Sequence, residues 1–589
     1  MFIKYVQGKK LRNRKIPILE VGTVMARGVA IGIQSFEELR KGKYFYVDKT
    51  DFIKEWWDCG DSVTLITRPR RFGKTLNMSM LEQFFSINYN GRSELFEGLS
   101  IWQDEKYRQI QGTYPVISLS LAGVKETNYK TAREKICQIL TNLYIKHSYL
   151  RDSDVLTDAD RLFFDRILAL EIRDSDATSA IYQLSDFLYR YYEKKVIILL
   201  DEYDTPMQEA YINGYWDELV AFTRSLFNST FKTNPYLERG IMTGITRISK
   251  ESVFSDLNNL KVVTTTSDEY ATSFGFTEEE VFAALDECGL GEEKEGVKVW
   301  YDGFVFGKHS DIYNPWSVLN FLDTKGQYDT YWANTSGNRL IGRLIQEGNK
   351  NIKVSFERLL KMERITSPID EQIVYNRLGD NEVAVWSLLL ASGYLKVIEK
   401  EKLTTPGMRP KYTLSITNGE VLDMFYNMVH DWFMETEVHY NDFVSAMLYG
   451  NVEEMNVCIN KISKNVFSYF DTGKEPSDSE PERFYHGLVL GLLTELNQEY
   501  ILTSNRESGL GRYDVMIEPR DKSKAAYILE FKVHNPKRES SLDETVKNAL
   551  KQIEEKQYKT ELIARGYKEE QIRKYGFAFA GKEVLIEEE

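Results

Sequence analysis

Short apolar runs alternate with helical stretches over the first half of the chain, and this alternation restricts the possible folds more than any other feature. The runs are SVTLITRP (62–69), YPVISLSLAG (114–123), KKVIILLDEYD (194–204) and ERGIMTGITR (238–247). Strands that alternate with helices form largely parallel sheets. KVIILL is almost wholly apolar, as a strand covered on both faces requires. Residues 29–262 are therefore predicted to form an α/β domain.

The rest of the chain divides into two further regions. Residues 263–470 are predicted to be mostly helical, with patterns such as AVWSLLLASGYLKVI. The stretch DTGKEPSDSEPER (471–483) is polar and carries two prolines and a glycine, which is typical of a linker. Residues 484–589 are predicted to contain a helix, several strands, a long polar helix near 541–561, and a last strand in YGFAFAGKEVLI.

Composition excludes several classes of protein. The 589 residues contain no apolar run near the length of a membrane helix, so we expect no membrane association. The cysteines lack the spacing of a metal site or a disulfide framework, and this fits a reducing, cytoplasmic location. A net charge of -14 excludes a positive field over the whole surface and leaves a local basic groove open.

The first 28 residues are basic but lack the continuous apolar core of a secretory signal. They are interpreted as a disordered arm, a targeting stretch, or the result of a start assigned too far upstream. Met25 immediately precedes the first globular pattern, so Met1 and Met25 both remain candidate starts.

A strand, a loop and a helix are predicted in VTLITRPRRFGKTLNMSMLEQFF (63–85), with Gly73-Lys74-Thr75 at the end of the loop. A loop at a helix N-terminus offers backbone N–H groups and the positive end of the helix dipole to an anion. Lys74 is expected to reach the β- and γ-phosphates of ATP, and the Thr75 hydroxyl to ligate Mg²⁺.

Arg68 stands where the first glycine of the GxxxxGK(S/T) pattern belongs. Pro69 already favours an extended conformation at residue 68, so Arg68 is retained in the predicted ATP-binding set. The tripeptide Gly-Lys-Thr occurs by chance in many chains of this length. The surrounding strand, loop and helix therefore carry the prediction.

Polar residues follow two later apolar strands. Asp201 and Glu202 come at the end of one strand, where a Mg²⁺-bound nucleotide is expected to bind. Asp201 is predicted to hold the metal through water, and Glu202 to orient the attacking water. Thr246 and Arg247 end the next strand and are candidate sensors of the γ-phosphate. The alternatives are a polar strand end for the first pair and a solvated arginine for the second.

The run AAYILEFKVHN reads as a buried strand that carries two charges, Glu530 and Lys532. Side chains alternate along a strand, so both charges share the face of Ile528. Buried charges are costly unless they are paired or bound to a metal. Asp514 lies on the partner strand of a predicted hairpin, and two such carboxylates can share one Mg²⁺. Lys532 is predicted to orient the nucleophile and stabilise negative charge on a phosphodiester.

Two alternatives remain open in this region. Glu530 and Lys532 could form an ion pair without chemistry, since such pairs are common in a charged chain. Glu482 could add a further metal ligand, or it could be a helix N-terminal carboxylate placed for the dipole.

The motifs in combination resemble a family of AAA-ATPase-like proteins, common in anaerobic bacteria, that carry a C-terminal nuclease-superfamily domain. The resemblance covers the chain from about residue 29 to its end and rests on YFYVDKTDFI, RPRRFGKTL, LLDEYDTP, MTGITRISKESVFSDLNNL, WYDGFVFG and YNPWSVLNFL. It implies an ATP-binding P-loop domain, in a family where the position of Arg68 is commonly not glycine. The aromatic motifs WYDGFVFG and YNPWSVLNFL are interpreted as packing that joins this domain to the helical region.

Asp514 and Glu530-x-Lys532 resemble the core of PD-(D/E)xK nucleases, a restriction-endonuclease-like α/β fold, with RYD in place of Pro-Asp. Gln552 is similar to the glutamine of a Gln-plus-Tyr helix in some such nucleases. A solvated amphipathic helix is nevertheless the preferred interpretation of the stretch around Gln552.

The sequence thus predicts an ATP-regulated, Mg²⁺-dependent protein that cleaves or processes nucleic acid, with DNA favoured over RNA. A nucleotide-dependent switch, or an ATPase whose last domain binds DNA or a protein partner, is the alternative. Oligomeric state and the choice between endonuclease and exonuclease remain open.

Overall fold

The computed structural model describes residues 27–248, 254, 257–333, 338–346, 348–360, 362–371, 378, 381–401, 410–434, 440–468, 499–508, 511–580 and 583–589. The predictions for Met25, for Glu482 and for the linker at 471–483 fall outside these residues and stay predictions. Within the described part of the chain, no helix combines the length and the apolar character needed to cross a membrane.

A five-stranded parallel sheet forms the centre of the first domain. All four predicted apolar runs are strands of this sheet. A further strand was not predicted, because only one of its four side chains is buried. The strands are β1 (Val63–Thr67), β2 (Val116–Ser120), β3 (Val196–Asp201), β4 (Leu237–Gly244) and β5 (Leu260–Val263).

The spatial order of the strands is β2-β3-β4-β1-β5. Every residue of β1 and β3 is buried, so both faces of the sheet are covered. Because the strands are parallel, the carboxyl ends of β1, β3 and β4 meet at one edge. The helices of this domain are α1 (Phe36–Lys41), α2 (Asp51–Asp58), α3 (Lys74–Phe85), α4 (Glu105–Arg108), α5 (Tyr129–Lys146), α6 (Asp158–Leu168), α7 (Asp174–Tyr192), α8 (Thr205–Asn213) and α9 (Trp216–Phe227).

The middle region is mostly helical, as predicted. Its helices are α10 (Glu278–Glu287), α11 (Lys294–Tyr301), α12 (Pro315–Asp323), α13 (Asn338–Gln346), α14 (Lys350–Leu360), α15 (Glu382–Ala391) and α16 (Gly419–Met434).

Two small antiparallel sheets, which the sequence pattern did not predict, accompany these helices. Their strands are β6 (Phe276–Thr277), β7 (Phe304–Phe306), β8 (His309–Tyr313), β9 (Ile365–Pro368), β10 (Leu395–Lys400) and β11 (Lys411–Ile416). One hydrophobic core runs from the first domain into the middle region, so the two pack as neighbours.

A second five-stranded sheet forms the C-terminal part of the chain. Its strands follow chain order, and the pair β14–β15 is parallel while the other pairs are antiparallel. They are β12 (Tyr500–Ser508), β13 (Gly511–Pro519), β14 (Ala526–Val533), β15 (Ile572–Ala580) and β16 (Glu583–Glu588). The last predicted strand is therefore wrong as a single element, because the chain reverses between β15 and β16.

Helices cover both faces of the C-terminal sheet. Residues of α17 (Tyr440–Tyr449) and α18 (Val452–Ser468) share a core with Leu529 and Phe531 on one face. Residues of α19 (Leu542–Glu555) and α20 (Lys559–Ala564) share a core with Ile528 on the other face. The long polar helix predicted near 541–561 is thus two shorter helices.

Gly576 of β15 lets α19 lie close to the sheet. A Cβ atom at Gly576 would lie 2.9 Å from the Leu550 side chain and 2.9 Å from the Val546 carbonyl oxygen. The same helix covers the face of β14 that carries Ile528, Glu530 and Lys532. Close packing at Gly576 therefore brings the side chains of α19 within reach of these charges.

Candidate functional sites

The loop of residues 68–73 connects β1 to α3. Gly73 has φ 79°, a left-handed conformation that glycine adopts at little cost and that turns the chain into the helix. Lys74 is 3% exposed, and its Nζ donates to the carbonyl oxygens of Arg68 (3.1 Å) and Pro69 (3.0 Å). The same Nζ lies 3.3 Å from Glu202 Oε1. The ammonium thus lies between the loop backbone and the carboxylate that follows β3.

Asp201 lies at the same edge and accepts two hydroxyl hydrogen bonds. Thr75 Oγ1 donates to Asp201 Oδ2 at 2.8 Å, and the Thr243 hydroxyl donates to Asp201 Oδ1. Burial raises the pKa of Asp201, and the charge of Glu202 raises it further, while the two hydroxyls oppose this shift. The structure therefore brings the pair Lys74-Thr75 next to the pair Asp201-Glu202, although the two pairs are far apart in the sequence.

The structure corrects the predicted role of the Arg68 side chain. Its guanidinium is fully buried and donates to the carbonyl oxygens of Thr264 (2.7 Å) and Glu269 (3.1 Å). It also lies over the Phe306 ring, 4.6 Å from the centroid. Burial lowers the pKa of Arg68 to about 9. Arg68 thus anchors the loop to the segment after β5, and the contact it makes with Lys74 is through its carbonyl oxygen.

Thr246 contacts Asp204, a carboxylate that the sequence reasoning missed. Asp204 is fully buried, and its Oδ2 accepts from the Thr246 N–H and hydroxyl, both at 2.8 Å, and from the Ile245 N–H at 3.0 Å. Burial raises the pKa of Asp204. Arg247 lines a small cavity with Phe254 and other apolar residues. The hydrogen bonds between Thr246 and Asp204 give Thr246 a structural role. Phosphate sensing by Thr246 and Arg247 stays a prediction.

The middle region holds the 68–73 loop directly. The carbonyl oxygen of Arg70 accepts hydrogen bonds from Asn314 Nδ2 (3.2 Å) and Trp332 Nε1 (3.0 Å). The Phe72 ring packs edge-on against Phe304, with centroids 4.7 Å apart. The aromatic motifs interpreted as packing therefore also fix the backbone of the loop.

Glu420 of α16 supports this arrangement from behind. Its carboxylate accepts from the Trp332 N–H (2.5 Å) and the Ser317 hydroxyl (2.8 Å), and it is fully buried. Burial raises the pKa of Glu420 to about 7. A buried carboxylate thus positions both Trp332 and the helix α12 that follows Asn314.

Glu420→Gln is expected to reduce the pH dependence of stability. Between the unfolded pKa of 4.5 and the folded pKa of about 7, folded Glu420 keeps a proton that the unfolded chain has released. The free energy of unfolding therefore falls as the pH rises through this window, by up to about 3 kcal/mol. Glutamine stays neutral and offers an oxygen to Trp332.

Melting temperatures at pH 5, 6, 7 and 8 for both proteins test this expectation. The variant should gain most over the wild type at pH 8. Parallel pH profiles for the two proteins would show that Glu420 is ionised throughout.

In the C-terminal sheet, Gln552 of α19 contacts both charged residues of β14. The Gln552 Nε2 donates to Glu530 Oε1, and the Gln552 Oε1 accepts from Lys532 Nζ at 2.7 Å. Glu530 is 2% exposed. The interpretation of Gln552 as a solvated side chain is therefore wrong. The Gln552 amide orients both Glu530 and Lys532, so the two charges are arranged around it instead of forming a simple ion pair.

Asp514 lies on the neighbouring strand, as predicted. Its Oδ2 accepts from the Phe531 N–H at 2.8 Å, next to Glu530 in the chain. Tyr558, the tyrosine of the stretch that resembles a Gln-plus-Tyr helix, accepts from Gln552 Nε2 at 3.2 Å. Burial raises the pKa of Tyr558 to about 12, and the charges of Glu530 and Asp514 add to the shift. Gln552 therefore contacts Glu530, Lys532 and Tyr558 together.

Family models match two segments of the chain, and each segment contains one of the two candidate sites. Residues 30–254 match the family model of predicted AAA-ATPases, and residues 480–589 match that of the PD-(D/E)XK nuclease superfamily. The chain carries an AAA-ATPase-like domain and a C-terminal PD-(D/E)XK nuclease superfamily domain. Lys74, Thr75, Asp201 and Glu202 lie in the AAA-ATPase-like domain. Asp514, Glu530, Lys532 and Gln552 lie in the nuclease superfamily domain.

One curated relative of this chain comes from Azotobacter chroococcum mcd 1. It is 26% identical over 393 residues, a segment that covers 66% of this chain and 67% of the relative. Its name, "Uncharacterized protein in vnfD 5'region", states no activity, so it adds similarity and no function.

Proteins with these two domains generally use a nucleotide and a divalent metal. In the nuclease superfamily domain, Asp514 and Glu530 offer the hard oxygen donors that such a metal prefers. They lie on paired strands, and Asp514 accepts from the N–H of Phe531, the residue next to Glu530. In the AAA-ATPase-like domain, Thr75 and Asp201 offer a hydroxyl and a carboxylate that already contact each other. The donor sets therefore fit a metal at both places.

Proposed function

We propose that this protein binds ATP and carries out metal-dependent cleavage of nucleic acid, with the nucleotide regulating the cleavage. The observation that carries the proposal is the single amide, Gln552, that orients both Glu530 and Lys532 beside Asp514. A buried carboxylate and an ammonium group that a third side chain holds in place cost folding free energy. This cost is understandable if the two charges bind a metal and a scissile phosphate.

In the nucleotide site, each residue has a defined role. Lys74 contacts the β- and γ-phosphates in exchange for its contact with Glu202. Thr75 and Asp201 hold Mg²⁺, and Glu202 orients the water that attacks the γ-phosphate. Glu202 has φ 52°, a left-handed conformation that is unfavourable for a residue other than glycine and that is found at functional sites.

In the nuclease site, Asp514 and Glu530 hold the divalent metal, which we take to be Mg²⁺. A metal held there would polarise the phosphodiester and supply an activated water. Lys532 donates to the phosphate oxygens as negative charge develops. Gln552 keeps Glu530 and Lys532 in fixed rotamers, so that little rearrangement is needed during the reaction.

A nucleotide-dependent switch with an inactive nuclease fold is the second candidate function. It is favoured by the 2% exposure of Glu530, because a metal ligand needs an open path to solvent. In that case the C-terminal domain binds DNA or a protein partner without cleaving it.

Cleavage assays on three substrates separate the two functions. Supercoiled plasmid, single-stranded DNA and RNA are incubated with the full chain and Mg²⁺ or Mn²⁺, with EDTA as the control. The proposal expects metal-dependent cleavage of DNA. Binding without cleavage of every substrate under all metal conditions would favour the switch.

A further inference from the structure

Arg71 has a backbone conformation that an arginine adopts at a cost. Its φ is 65°, in the left-handed region, which is unfavourable for residues other than glycine. A glycine would take the same turn without that cost. A contact of the arginine side chain with its surroundings offsets this cost.

The contact that holds Arg71 comes from the middle region. Its guanidinium lies over the Trp316 ring, 4.1 Å from the centroid. Trp316 is in the first turn of α12, and Asn314, which caps this helix, donates to the Arg70 carbonyl oxygen. One helix end thus fixes both the backbone of the loop and the cation next to it.

Arg71 differs from the two other arginines of the loop. Arg68 is buried among carbonyl oxygens, and Arg70 Nη2 donates to Gln208 Oε1 at 3.3 Å. Arg71 is exposed, and its guanidinium carbon lies over the Trp316 ring. Stacking leaves the N–H groups in the guanidinium plane able to bind an anion.

The charge of Arg71 acts on the nucleotide site. Partial burial and the charge of Arg70 lower the pKa of Arg71, and the charge of Glu202, whose carboxylate is 3.3 Å from Lys74 Nζ, opposes this shift. Arg71 and Lys74 are three residues apart in the chain, in the loop and in the first residue of the helix that follows it. Two cations thus come from the segment where the phosphates are expected.

We infer that Arg71 is a second phosphate-binding cation of the loop, and that Trp316 positions it by stacking. The inference rests on the proposed ATP site and adds a residue to it. A guanidinium binds two phosphate oxygens at once, which a lysine ammonium does not match in geometry. The middle region thereby takes part in nucleotide binding through a residue that it holds in place.

Arg71→Gly tests the inference, because glycine relieves the backbone cost and removes the cation. The melting temperature should stay equal or rise, while the Kd for Mg²⁺-ATP, measured by calorimetry on the full chain, should rise by about tenfold or more. Arg71→Lys keeps the charge and should recover part of the affinity. Trp316→Leu removes the ring face and should weaken ATP binding less than Arg71→Gly does.

Three results would overturn the inference in different ways. ATP affinity in Arg71→Gly within about twofold of wild type, with affinity lost in Lys74→Ala, would remove Arg71 from the site and leave the proposed function standing. A lower melting temperature in Arg71→Gly with unchanged affinity would make Arg71 a structural residue. A wild-type chain that does not bind ATP would overturn the proposed function together with the inference.

Discussion

Asp514→Ala is expected to abolish metal-dependent cleavage, because Glu530 alone holds a divalent metal poorly. The substitution also removes the acceptor of the Phe531 N–H, which costs about 1 kcal/mol of stability. Asp514→Asn is the matched control for that loss, since its amide oxygen can still accept from Phe531. Cleavage should be lost in both variants, with a melting temperature closer to wild type in Asp514→Asn.

Lys532→Ala should slow cleavage while metal binding survives, since Lys532 acts on the transition state and does not bind the metal. If Glu530 and Lys532 were a structural arrangement alone, removing either charge would lower stability by a few kcal/mol. Melting temperature and cleavage rate, measured on the same variants, separate these roles. Full cleavage by Asp514→Asn would remove this residue from the catalytic site.

Lys74→Ala is expected to weaken ATP binding at least tenfold, about 1.4 kcal/mol, because it removes the cation that the loop directs toward the phosphates. Glu202→Gln is the matched control, since it breaks the same 3.3 Å contact from the other side. Glu202→Gln should retain ATP binding and slow any hydrolysis. Calorimetric titration and phosphate release measure the two effects. Unchanged ATP affinity in Lys74→Ala would contradict the assigned site.

The sequence was sufficient to predict that Lys74 and Asp201 lie at one edge of the sheet. Lys74 follows one apolar run and Asp201 ends another, and parallel strands place both ends at one edge of the sheet. The role of Arg68 was out of reach, because its partners follow β5, a short strand with little apolar pattern. The left-handed backbone of Arg71 depends on tertiary contacts of the loop, which a local pattern does not encode.

In the nuclease domain, period-two alternation predicted that Glu530 and Lys532 share a face. It did not predict that Gln552 contacts both, because this depends on how closely α19 packs on the sheet at Gly576. Tyr558 follows the end of that helix and joins the cluster for the same reason. A local pattern thus predicts which residues share a strand face, and the docking of the helix decides which other residues reach them.

The response of plasmid cleavage to ATP tests the central claim most directly. Wild type, Lys74→Ala and Asp514→Asn are assayed on supercoiled plasmid at constant free Mg²⁺, with and without ATP. We predict that ATP changes the rate of the wild type, that Lys74→Ala cleaves at one rate in both conditions, and that Asp514→Asn does not cleave. Cleavage by Asp514→Asn at the wild-type rate, or an ATP response retained in Lys74→Ala, would contradict the account.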